Sequence, residues 1–259
     1  MCIRVLNELV INLSEKIISD KGEAPLILYE APTGYGKTIT SLNFYSLLRR
    51  REYVASHIHV LPMRSITTEL YCKIVNSVSE KPPEFCKEIG EDPVMKNLIN
   101  EIRRERDLSE DSIGYQSIDL IDSSKTPFFL KEIIISTFNS FFHNLARVPV
   151  AEYRKYAKHY EIPRSTIFTS SIVLDEAHLY GGDPGVDRGS EEETKLITAF
   201  MLSIRVLSEA KTPLLIESAT IPSVLREKII DMSGGNIFTI SFRYGTRDCK
   251  EIEPDINSK

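Results

Sequence analysis

Ala31-Pro32-Thr33-Gly34-Tyr35-Gly36-Lys37-Thr38 is the stretch on which the reading of this chain turns. It follows a short apolar run, Pro25-Leu26-Ile27-Leu28-Tyr29, and precedes Ile39-Thr40-Ser41-Leu42-Asn43-Phe44-Tyr45, which has helical spacing. A strand, a glycine-rich turn and a helix in that order form a phosphate cradle. The glycines let backbone N–H groups turn inward onto an anion, and the helix N-terminus adds the positive end of its dipole. Residues Thr33, Gly34, Tyr35, Gly36, Lys37 and Thr38 are the nucleotide-binding candidates. Lys37 would reach the terminal phosphates and the Thr38 hydroxyl would bind Mg²⁺. Ala31 stands where such a cradle usually begins with glycine, so the match is to a variant.

Working outward, residues 3–20 place Ile3, Leu6, Leu9, Val10, Leu13, Ile17 and Ile18 on one face of an amphipathic helix. Strand-like runs recur at 25–30, 54–61, 132–137, 171–176, 213–218 and 236–241. Most are continuously apolar, as strands buried on both faces of a parallel sheet are. Helical patterns fall between them at about 38–50, 63–78, 138–147, 190–210 and 222–232. This alternation predicts an α/β fold, a mainly parallel sheet with helices on both faces. Ligands of such sheets bind beyond the carboxyl ends of the strands, where the octapeptide would lie. Residues 79–130 break the rhythm and read as a solvated helical insertion of mixed charge, the alternative being an arm that contacts a partner or the strand. The turn-rich stretch 181–189 reads as a mobile loop, and 243–259 as a polar tail or linker after a domain spanning 1–242.

Composition sets bounds. A chain of 259 residues with 42% hydrophobic content can bury a sizeable core. No run is long and apolar enough to span a bilayer, and no charged-then-apolar leader is visible, so no membrane partner is expected. Cys2, Cys72, Cys86 and Cys249 show no paired spacing, which argues against a zinc site or a disulfide framework and fits a reducing cytoplasm. With a net charge of −5, contacts to nucleic acid must come from local basic residues. A single glutamine, Gln116, amid abundant Ile, Lys and Glu hints at a thermophilic source.

Two further strand ends carry chemistry. In Ser171-Ile172-Val173-Leu174-Asp175-Glu176-Ala177-His178, three apolar residues deliver two carboxylates to a strand's carboxyl end. A magnesium–nucleotide site needs one carboxylate to hold the metal and another to orient and deprotonate the attacking water. Asp175 suits the first role and Glu176 the second; with Lys37 they form the catalytic set, and Thr38 and Asp175 the metal set. Pro213-Leu214-Leu215-Ile216-Glu217-Ser218-Ala219-Thr220 is another buried strand, ending in two hydroxyl residues.

Gly-Lys-Thr, then Asp-Glu-Ala-His, then Ser-Ala-Thr resembles motifs I, II and III of the superfamily-two DExD/H-box helicases. The resemblance implies a RecA-like P-loop NTPase domain that takes ATP and Mg²⁺. It also implies that His178, Ser218 and Thr220 couple the nucleotide to the strand. Leu61-Pro62-Met63-Arg64 matches a loop that touches strand phosphates in that family, and Ser136-Thr137-Phe138-Asn139 occupies the place of a further strand-contacting motif. Arg64 and Thr137 are therefore the nucleic-acid candidates, while Phe138, Phe141 and Phe142 read as core.

Within the superfamily, the octapeptide, Ile135-Ser136-Thr137-Phe138-Asn139-Ser140-Phe141-Phe142 and Leu174-Asp175-Glu176-Ala177-His178-Leu179-Tyr180 look most like the helicase of type I CRISPR interference. That resemblance implies single-stranded DNA as the track, with a guide-RNA interference complex and an HD nuclease as partners. No His-Asp pair occurs here, and His57, His59, His143, His159 and His178 do not cluster in sequence, so the nuclease would be a separate subunit. The family's adenine-reading glutamine upstream of the cradle has no counterpart. The family's second RecA-like domain has no counterpart after residue 241, so the chain reads as the N-terminal motor domain of a longer protein, with 243–259 a tail or linker to the missing domain that would position Arg243 and Arg247. The isolated chain is thus expected to bind nucleotide and hydrolyse it poorly, as an arginine finger contributes about 10³–10⁵ in rate in related systems. The alternatives are the motor domain of a DNA-repair or RNA DExH helicase, and a nucleotide-binding scaffold without turnover.

Overall fold

The computed structural model describes residues 2–105, 108–116, 125–148, 159, 161–180 and 191–241. The 181–189 stretch and the 243–259 stretch, with Arg243, Arg247 and Cys249, lie outside the described residues. Among the described residues the order is α1 (Cys2–Lys21), β1 (Leu26–Glu30), α2 (Lys37–Arg50), β2 (Ser56–Leu61), α3 (Arg64–Val78), α4 (Pro93–Glu105), β3 (Ile113–Gln116), β4 (Ile133–Thr137), α5 (Phe138–Leu145), α6 (Glu161–Phe168), β5 (Ser170–Leu174), α7 (Glu191–Glu209), β6 (Leu214–Ser218), α8 (Ser223–Met232) and β7 (Phe238–Ser241). The fold is α/β with parallel strands, as the alternation of apolar runs and helical patterns predicts.

Two compact units divide the chain, one of residues 1–47 with 172–259 and one of residues 48–171. In the first, the strands lie in the order β5-β6-β1-β7. Leu26–Glu30 pair in parallel with Leu214–Ser218 on one side, and Ile27–Glu30 with Phe238–Ser241 on the other. Ile172, Val173 and Leu174 pair with Leu214, Leu215 and Ile216. Every residue of β5 and β6 is buried, which is why these strands read as unbroken apolar runs rather than alternating ones. On α1, Val10, Ser14 and Ile17 are buried one turn apart, and the Ser14 hydroxyl is satisfied by donating to the Val10 carbonyl at 2.7 Å. Glu30 receives hydrogen bonds from the Ile221 amide (2.9 Å) and the Ser241 hydroxyl (3.2 Å) and pairs with Arg226, tying α8 and β7 to the end of β1.

In the second unit the strands lie in the order β3-β4-β2, all parallel. Ile133, Ile134 and Ile135 on β4 are fully buried, each contributing about 1.5–3 kcal/mol by leaving water. Ser56 and His57 of β2 meet Ser170 and Ser171 by side-chain hydrogen bonds of 2.6 and 2.9 Å. Phe138 and Phe141 are buried core residues, as expected, and Phe142 stacks on Phe138 at 6.1 Å.

Two expectations need correction here. The 79–130 stretch is not a solvated insertion alone. It contains α4, whose Met95, Leu98, Ile99 and Ile102 are buried at helical spacing, and β3, which adds a strand beside β4. The absence of paired cysteine spacing does not keep the cysteines apart either. Cys72 on α3 and Cys86 in the short 3₁₀ turn Glu84–Cys86 form a disulfide with Cα atoms 5.0 Å apart, both side chains being fully buried. They lie fourteen positions apart in the sequence, and it is the chain reversal after α3 that brings them together.

Candidate active site

The first unit assembles the candidate catalytic residues from three adjacent strand ends. The Ala31 amide donates to the Ser218 carbonyl at 3.0 Å, so the loop after β1 leaves the sheet against the end of β6. Gly34 and Gly36 both adopt positive φ, +84° and +75°, which L side chains rarely accept. The turn then feeds straight into α2, whose first helical residue is Lys37. Unmet N–H groups at that helix start are the anion-binding element the sequence implies. Thr38 sits in the first turn, half-buried beside the loop.

Lys37 is 8% exposed and bent back onto the site. Its ammonium donates to the Ala31 carbonyl at 3.4 Å and lies 3.9 Å from Glu176. Asp175 follows β5 directly and is buried, and its Oδ1 accepts the Glu176 amide at 2.7 Å. Glu176 has φ +51°, a left-handed conformation for a residue with a Cβ, which costs of order 1–3 kcal/mol. The bend turns its carboxylate toward Lys37 on one side and His178, at 3.3 Å, on the other. His178 is then held to the third strand end. Its Nδ1 lies 3.0 Å from the Ser218 hydroxyl, and its amide donates to the same oxygen at 3.3 Å. The Ser218 hydroxyl in turn reaches the Thr220 carbonyl at 3.0 Å. Lys37, Glu176, His178, Ser218 and Thr220 thus form one linked chain of contacts within a single unit.

Comparison with known proteins matches this arrangement to a family. Residues 3–222 match the family described as "Type III restriction enzyme, res subunit". The chain belongs to that family. No curated protein matches it. Among solved structures, that of T. fusca Cas3 with ADP is similar with a TM-score of 0.56 and 15% identity, over 87% of this chain and 22% of that one. T. fusca Cas3 with AMPPNP gives 0.53 at 15%, again over 87% and 22%. The DUF1998 helicase MrfA bound to DNA gives 0.52 at 15%, over 92% and 27%. This res-subunit-family chain spans about a fifth of the length of the Cas3 structures it matches. It is a RecA-like helicase ATPase domain of superfamily two.

Beneath the linked residues of the helicase domain lies one that sequence reasoning passes over. Glu217 is fully buried, and neither of its carboxylate oxygens has a hydrogen-bond partner. Leaving such a group unmet costs about 1–3 kcal/mol or more. Burial, reinforced by the charge of Asp175, pushes its carboxyl well above the usual range, and Lys37 opposes the shift. Tyr29, its register partner on β1, is pushed up by burial and by Glu217. Tyr180 is likewise pushed up by burial and by Asp175 and Glu176, and it stacks on Phe200 at 4.4 Å. The signal was a lone acid closing an otherwise apolar strand, Leu214-Leu215-Ile216-Glu217.

The nucleic-acid candidates belong to the second unit. Arg64 is the exposed first residue of α3. Thr137 ends β4 at 7% exposure, and its hydroxyl donates to the Ser140 hydroxyl at 3.1 Å. No helix among the described residues is long and apolar enough to cross a membrane.

Proposed function

We propose that this helicase domain is the ATP-binding half of an ATP-dependent single-stranded DNA translocase working in CRISPR interference. The observation that carries the reading is the linked chain Lys37–Glu176–His178–Ser218 at the ends of β1, β5 and β6. In this reading the backbone of Thr33–Thr38 cradles the phosphates. Lys37 leaves Glu176 for the terminal phosphates when ATP enters. Freed of its cation, the Glu176 carboxylate orients the attacking water and accepts its proton. His178 and Ser218 carry that change to the loop ending at Thr220, which couples nucleotide state to the strand held by Arg64 and Thr137. The all-oxygen donor set of Thr38 and Asp175, with the unmet Glu217 carboxyl beside it, fits a hard cation such as Mg²⁺. When bound, that ion neutralises phosphate charge and templates in-line attack.

The likeness to T. fusca Cas3, a protein seen with ATP, ADP and AMPPNP, supports both the nucleotide and the CRISPR role. By the same reading, the partners are a separate HD nuclease subunit and a guide-RNA interference complex. The Cys72–Cys86 disulfide and the Ile-, Lys- and Glu-rich composition together suit the cytoplasm of a hyperthermophile, where intracellular disulfides are common. The likeness to MrfA bound to DNA favours a second reading, the motor of a DNA helicase outside CRISPR interference. ATP turnover by the protein carrying this domain, measured alone, with single-stranded DNA and with RNA, tests the proposal. Stimulation by DNA is expected. Stimulation by RNA alone sinks it, and no turnover under any condition favours a scaffold.

A further inference from the structure

Glu217 poses a question that the catalytic reading leaves open. It is the one acid on β6, it is fully buried, and both of its oxygens lack partners. The sheet register explains where it points. Leu174 pairs with Ile216, so the next residues along, Asp175 and Glu217, face each other across β5 and β6. An Asp175 carboxylate oxygen and a Glu217 carboxylate oxygen lie within 4.8 Å of one another. Glu217 makes no hydrogen bond across that gap, and the gap is small enough for one water to bridge, since two bonds of about 2.7 Å span up to about 5.4 Å. Asp175 and Glu176 both act on Glu217 as like charges, and Lys37 opposes them. The cluster is short of positive charge and its innermost member is short of a donor.

We infer that Glu217 is a positioning residue for the divalent cation: its carboxylate accepts a hydrogen bond from a water of the ion's shell, next to Asp175. Mg²⁺ keeps several waters when proteins bind it, and outer-shell acceptors of those waters fix their orientation. The ion and its water supply what Glu217 lacks, a donor and a compensating positive charge. When Lys37 turns to the phosphates, Glu217 and Asp175 keep the ion in place from the sheet side. Glu217 thus adds the second face of the metal site, where Thr38 and Asp175 form the first.

This inference rests on the nucleotide-site reading above, and the test separates the two. Mn²⁺ binding to this chain, with saturating ADP, is followed by loss of the free-ion electron paramagnetic resonance signal. ADP binding is measured in parallel in EDTA. Glu217→Gln keeps the shape of the side chain, and Glu217→Leu removes its polarity, so one well-packed variant serves even if the other does not fold. Both are expected to weaken Mn²⁺ about 10–100-fold while leaving metal-free ADP affinity unchanged. They should also lose the Mg²⁺-dependent rise in melting temperature. Unchanged Mn²⁺ affinity overturns the inference and leaves the site reading intact, provided that Asp175→Asn weakens the ion. An equal loss of ADP affinity in EDTA overturns it too, since Glu217 would then act through Lys37. If the unsubstituted chain takes up no Mn²⁺ with ADP, both readings fall.

Discussion

Glu176 and Lys37 share an ion pair yet have separable proposed tasks. In the proposed mechanism Lys37 is a charge that a phosphate takes over, whereas Glu176 is a base that only the attacking water needs. Glu176→Gln keeps the size of the side chain and removes its basicity. It is expected to leave ATP affinity within a few-fold while turnover falls by about 10²–10⁴, checked by single-turnover hydrolysis beside equilibrium binding. Unchanged turnover would remove Glu176 as the base. The bend at Glu176, φ +51°, has a role in this account, since it aims one carboxylate at both Lys37 and His178. These residues were legible in the sequence because the chemistry demands their types at the carboxyl ends of apolar runs. Glu217 was not, because its meaning lies in register. Only when β5 and β6 are aligned does it stand opposite Asp175.

At the scale of elements, β2 carries a test of its own. His57 is fully buried, and burial, with the neighbouring His59 ring 5.9 Å away, lowers its pKa well below the ordinary 6.5. Neutral His57 pairs with the Ser171 hydroxyl at the start of β5. The unfolded chain gains a proton below pH 6.5 that the folded chain refuses, so stability is full above 6.5 and falls as the pH drops. Urea unfolding between pH 6.5 and about 5 should show a slope of up to about 1.4 kcal/mol per pH unit that His57→Asn lacks. Equal slopes would mean that His57 takes up its proton while folded. The strands and helices with unbroken patterns, from α1 to β7, could be read directly. The burial of α4 could not, because Lys96, Glu101, Arg103 and Arg104 dominate its composition while Met95, Leu98, Ile99 and Ile102 sink into the unit. β3 escaped because it is four residues long and contains Gly114. A Cβ there would come within 2.5 Å of Thr126 and 2.8 Å of Lys131, so close packing forbids the branched residues that advertise a strand. The Cys72–Cys86 pairing depends on the chain reversal after α3, and spacing says nothing of that.

For the molecule as a whole, the order of strands β5-β6-β1-β7 puts the candidate catalytic groups in one compact unit. The candidate strand contacts Arg64 and Thr137 stand in the other. With a net charge of −5, strand binding cannot rest on the overall field, and the account assigns it to such local groups. In the proposed function the loop at residues 31–38 holds the phosphates of a nucleotide. Equilibrium binding of a fluorescent ATP analogue to this chain, beside its Lys37→Ala variant, tests that claim most directly. Mg²⁺-dependent binding is expected, weakened by the substitution on the order of 100-fold, as when a desolvated charge pair loses one partner. Equal affinity in the two proteins would contradict it.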